Sequence, residues 1–154
     1  MEGLYFEIEN KKSNFIYNIL NGVYSSDFIW KISEDEIYKN NTGDAFPFAT
    51  PLFEQEIYDN ESFFKTLKKE NYAIFCNIQL YKKGDNISYI SNVEDFLNSD
   101  CKLIFLLTDD CFVEIYCKET EIMNIIKKNM SNIGITQYIN KDIHSRKTMF
   151  ARGD

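Results

Sequence analysis

Three of the chain's four cysteines, Cys101, Cys111 and Cys117, fall within the stretch SDCKLIFLLTDDCFVEIYCK. Thiols so placed could ligate a metal, form a redox pair or supply a nucleophile, and their spacing decides among these. A locally built metal site needs ligands that converge, typically C-x2–4-C knuckles. Cys111 and Cys117 are six residues apart in one strand-like run, so they share a face but stand roughly 20 Å apart. They cannot hold one ion. No C-x-x-C pair is present, and the one histidine, His144, would have to be recruited from a polar C-terminal stretch to make a Cys–His nucleophile. Thiols in a strand core act as small hydrophobes. That reading is favoured, and no catalytic, cofactor-binding or metal-binding residue is assigned.

The register of the two runs follows from their facing patterns. Odd positions Cys101, Leu103, Phe105 and Leu107 form the more apolar set of the first, and Cys111, Val113, Ile115 and Cys117 that of the second. Matching faces pairs odd with odd. A three-residue tip, Thr108-Asp109-Asp110, then sets Leu107 opposite Cys111 and Cys101 opposite Cys117. This makes Cys101 and Cys117 expected neighbours, close enough for a disulfide in an oxidising medium.

Two acidic groups, Glu34-Asp35-Glu36 and Glu54-Gln55-Glu56, could seat acid–base carboxylates or a divalent cation. Neither follows the D-x-[DN]-x-[DN]-G pattern of a calcium loop, and a solvated turn accounts for both. The segment 46–53 holds Phe46, Phe48 and Phe53, too apolar for a solvated linker. Together with Glu54 or Glu56 it is the place a small ligand pocket would form.

The elements that must position these residues are read from periodicity. Leu4–Ile8 reads as a strand; Phe15, Ile16, Ile19 and Leu20 recur at helical spacing before Gly22. Asp27–Ser33 is strand-like and leads through a turn to a short partner at Glu36–Lys39. A second helix is capped near Asp59 or Asn60 and carries Phe63, Phe64 and Leu67. Tyr72–Tyr81 follows as a long strand with Ile74, Cys76, Ile78 and Leu80 on one side. Ser91 and Glu94 form a capping box for a third helix. Ile122, Met123, Ile125, Ile126, Met130 and Ile133 make the stripe of a fourth, ending at Gly134, and Ile135–Ile139 reads as an edge strand.

The 154 residues contain no linker and no fixed-period repeat. The expectation is one α+β domain over 1–154, with about 141–154 a polar tail. Its sheet is mainly antiparallel, mixed, of about five to eight strands, with about four helices mostly on one face. The formal charge is −7 and the lysines occur as isolated doublets, which argues against nucleic acid and anionic membranes and for a basic protein partner. There is no basic-then-apolar leader and no apolar run near the ~18 residues of a membrane span. A cytoplasmic chain with reduced cysteines is expected.

The segments GLYFEIEN, PLFEQEI, YAIFCNIQLY and FLNSDCKLIFLLTDDCFVEIYCK resemble an uncharacterised bacterial family, domain of unknown function 2691. The resemblance spans nearly the whole chain, with one departure: Glu9 stands where the family pattern Phe-Glu-Ile-Pro has proline. It implies a small bacterial cytosolic protein and carries over no catalytic residue. The expected function is a non-catalytic interaction module, an immunity- or antitoxin-type binder of a basic partner. The alternative is a ligand-binding domain or enzyme using the pocket near 46–56.

Overall fold

The computed structural model describes residues 2–9, 14–39 and 50–142; His144, Phe46, Phe48 and the expected tail beyond 142 lie outside them. The elements are β1 (Glu2–Glu7), α1 (Phe15–Leu20), β2 (Phe28–Lys39), β3 (Ile57–Asp59), α2 (Asn60–Leu67), β4 (Asn71–Lys82), α3 (Val93–Asn98), β5 (Leu103–Thr108), β6 (Phe112–Cys117), α4 (Thr120–Asn132) and β7 (Ile139–Asp142). The seven described strands form one sheet in the order β3-β2-β4-β5-β6-β1-β7, every neighbouring pair antiparallel. The class is α+β, as the consecutive strand patterns indicate.

Helices α1, α2 and α4 lay their apolar stripes on one face. Ile16, Ile19, Leu67, Met123 and Ile126 meet Leu4, Trp30, Ile78, Phe105 and Ile115 there in one buried cluster. Trp30 anchors it: the ring stacks on Phe63 at 4.3 Å, and its Nε1 donates to Asn60 Oδ1 at 2.8 Å. The other face carries a second cluster, in which Val93 and Phe96 of α3 cover Tyr81, Cys101, Ile104 and Tyr116. Both faces of β5 are therefore buried along all six residues, which is why LIFLLT reads as a continuous apolar run rather than an alternation.

Two pairing details differ from the sequence expectation. Phe28–Lys39 is one bent strand, not two strands joined by a turn. Its pairing with β4 runs evenly from Phe28↔Lys82 to Ser33↔Asn77, then resumes at Glu36↔Phe75 and Ile37↔Ala73. Glu34 and Asp35 together oppose Cys76, and Ile74 is the extra residue on the other strand, so two bulges cancel. Each bulge flips the facing. Ile32 and Ile37 both reach the core at an odd spacing, and Ala73 takes the inward place expected of Ile74, which is 39 % exposed.

The cysteine hairpin keeps odd opposite odd but slips by two residues. Leu107 pairs with Val113, Phe105 with Ile115 and Leu103 with Cys117. The cause is the turn. Asp109 and Asp110 both take positive φ, 50° and 59°, the backbone of a primed two-residue turn. Cys111 is then the additional residue before Thr108↔Phe112, and its N–H donates to Thr108 O at 3.3 Å. Cys101 precedes β5 and joins the α3-side cluster, while Cys117 lies in the other. They are not cross-strand neighbours.

Smaller shifts have local reasons. The cap of α3 is Asn92, whose side chain accepts from Asp95 N at 2.8 Å, while Asp95 reaches back to Ser91 N; Ser91 and Glu94 do not form the box. The last strand is Ile139–Asp142, later than expected. Residues 133–135 are used in ending α4 and Ile133 is exposed there.

Candidate functional site: an acid-rich end of the sheet

The β5–β6 tip lies at the end of the sheet where β4 begins and β2 and β1 finish. The tip is tied down by Asp110 N, which donates to the bulged Ile74 O at 2.9 Å. Beside it Tyr38 and Tyr72 are directly paired across β2 and β4, with ring centroids 5.5 Å apart. Tyr72 is 41 % exposed. Exposed Glu36, Asp109 and Asp110 flank this aromatic–aliphatic patch. Lys39, Lys68 and Lys69 are the described lysines at this end of the chain path.

Around the corner the same end holds a groove of about 710 Å³, with Glu7 and Glu9 on one wall and Asn18, Asn132 and Gln137 on others. Phe15, Ile8 and Ile135 supply apolar floor. Its shape comes from two helix ends. At the end of α4, Gly134 takes φ +85°, Ile135 N donates to Met130 O at 2.8 Å and Gly134 N to Ser131 O at 3.1 Å, which is a Schellman stop. At the start of α1, Asn14 adopts φ 64° and is clamped: its Oδ1 accepts from Asn71 N at 3.0 Å and its Nδ2 donates to Lys68 O at 3.0 Å. Lys11 and Lys12, which follow Glu9 in sequence, lie outside the described residues.

The residues singled out from sequence are dispersed. Cys101 and Cys117 are buried and lend their Sγ–H to Leu103 O at 3.2 Å and Glu119 O at 3.3 Å. Burial pushes the Cys101 thiol up to about 12 and the Cys117 thiol up to about 11, the reverse of an activated nucleophile. Cys111 is half-buried at the hairpin tip. Among the described residues no group of three or more His, Cys, Asp or Glu side chains is placed to hold a metal. Asp35 sits half-buried in the β2 bulge, its carboxyl raised by desolvation.

Near 46–56 the described residues do not converge. Phe53 faces inward onto Phe63, whereas Glu54 and Glu56 face solvent. The Tyr58 hydroxyl accepts from Glu54 N and Gln55 N, both at 3.0 Å, so it orders this turn.

The model for the family described as "Protein of unknown function (DUF2691)" matches residues 1–150. The chain belongs to the DUF2691 family. It is 30 % identical over 129 residues to "Uncharacterized protein YncE" of Bacillus subtilis (strain 168), covering 82 % of this chain and 80 % of that protein. No solved structure matches it. No helix among the described residues is long and apolar enough to cross a membrane.

Two features of this DUF2691 chain escaped the sequence reading. The Tyr38–Tyr72 pair faces away from the core because each of the two strands carries one bulge, which no periodicity announces. A buried polar row also lies on the α3 side of the sheet: Tyr81 OH donates to Gln79 Oε1 at 2.8 Å, Gln79 Nε2 to Asn77 Oδ1 at 3.0 Å, and Tyr116 OH to Glu114 Oε2 at 2.5 Å. Its signal in the sequence is the polar residues Asn77, Gln79 and Glu114 at alternate positions of otherwise apolar strands.

Proposed function

We propose that the chain is a non-catalytic, intracellular protein-interaction module that binds a basic protein partner, in the manner of an immunity protein or antitoxin. One observation carries this reading: the patch of exposed Tyr72 and Ile74 with half-buried Tyr38, flanked by Glu36, Asp109 and Asp110. Tyrosines over a firm strand pair make good interface anchors because little side-chain entropy is lost on binding. The carboxylates around them steer a cationic surface to the patch and repel anionic ones. The formal charge of −7 adds to that field. Among the described residues the Cys101 and Cys117 thiols are raised and the acidic groups singled out from sequence are dispersed.

The test is affinity capture from the native bacterium with mass spectrometry, run in parallel with Tyr72→Ala and Glu36→Lys. A stoichiometric basic protein is expected with the unaltered chain, with recovery reduced at least tenfold by either variant and weakened by raised salt. No stoichiometric partner across several growth conditions, or a partner indifferent to both variants, overturns the proposal.

A further inference from the structure

The groove beside the patch has no part in the interface just described, and its chemistry is of a different shape. We infer that it is a second binding site, one that takes an extended peptide segment carrying lysine or arginine. The inference rests on the reading of the chain as a binder of a basic partner and names what that partner would insert.

The groove's volume, about 710 Å³, falls within the range of sites that enclose small ligands and short peptides. Glu7 and Glu9 are both exposed on one wall, and the described lining has no cation. A lysine or arginine side chain meets two carboxylates there. Asn18, Asn132 and Gln137 present amides that both donate and accept, which suits a peptide backbone better than an anion or a purely apolar ligand. Phe15 and Ile135 offer floor for the aliphatic stem of the basic residue. The walls are preformed, since one is fixed by the Schellman stop of α4 and another by the Asn14 clamp. A preformed groove keeps the ordering cost on the peptide alone.

The experiment uses the full chain and two synthetic peptides, acetyl-Lys-Leu-Lys-Leu-Lys-amide and its counterpart with glutamate in place of lysine. Calorimetry and amide chemical shifts are read together. Binding of the lysine peptide alone is expected, with shifts confined to residues 7–9, 18 and 132–137. Affinity should fall at least tenfold in Glu7→Lys/Glu9→Lys and in Asn18→Arg, which fills the groove, and should be unchanged in Tyr72→Ala. No binding, equal binding of the glutamate peptide, or shifts centred elsewhere would overturn the inference. Capture lost in Tyr72→Ala with no peptide binding sinks the groove and leaves the proposed function standing. Peptide binding without any partner sensitive to Tyr72→Ala does the opposite.

Discussion

Cys101 and Cys117 are separated by the thickness of the sheet, one under α3 and the other under α4. Oxidation should therefore leave them unjoined, and peptide mapping after mild oxidant should recover no Cys101–Cys117 crosslink. In native protein, alkylation is expected first at half-buried Cys111 and at Cys101 and Cys117 only on unfolding. The raised thiols also set a pH dependence. In the unfolded chain each ionises near its ordinary value of 9, whereas the folded forms hold their protons to about 12 and about 11. Above pH 9 the unfolded state has fewer bound protons, so stability falls as pH rises from about 9 towards 11–12. The slope is at most about 1.4 kcal/mol per pH unit per thiol. Urea titrations at pH 7.5, 9 and 10 should show this decline, and it should be shallower in Cys117→Ala; a flat profile would remove the buried-thiol account. The facing of Leu103, Phe105, Leu107, Val113, Ile115 and Cys117 was legible because alternation is local chemistry, whereas that of Cys101, which precedes the strand, was not. The two-residue slip was not, because aspartates at positive φ are one of several backbones the same dipeptide adopts.

Helix α4 shows how far an apolar stripe can be trusted. Ile122, Met123, Ile126 and Met130 are buried at the spacing read from sequence, and Ile126 is fully so against the hairpin face. Ile126→Ala should cost roughly 2–5 kcal/mol in a denaturant titration. Lys127 bridges to Glu2 across a partly exposed surface, so Lys127→Ala should cost under about 1 kcal/mol. Equal small losses would mean the helix is not docked as described. Periodicity fails at β2 and β4 for a physical reason: a bulge shifts every later residue to the other face. Ile74 was placed inward by counting twos from Leu80, and one extra residue in the ladder turned it out. Strand β3 has only three residues, too few for alternation to register. The candidate site inherits this illegibility, since its paired tyrosines are turned away from the core by one bulge in each strand, and its groove is walled by two helix ends far apart in sequence.

At the scale of the molecule the sheet order is the governing fact. Strand β1, the first element of the chain, lies between β6 and β7, with Leu4 opposite both Ile115 and Asn140. Removing residues 2–7 would open the sheet there and uncover Leu4's partners in the core. Such a variant should show no cooperative thermal transition by circular dichroism; a sharp transition would mean that the remaining strands are self-sufficient. Long sequence separation between partners slows folding, and here it also has a meaning for the newborn chain. At synthesis rates of about 5–20 residues per second, Glu2–Glu7 leaves the ribosome roughly 5–20 s before Phe112–Cys117 exists to receive it. For that interval Leu4 and Phe6, later fully covered, are open to solvent on every molecule made.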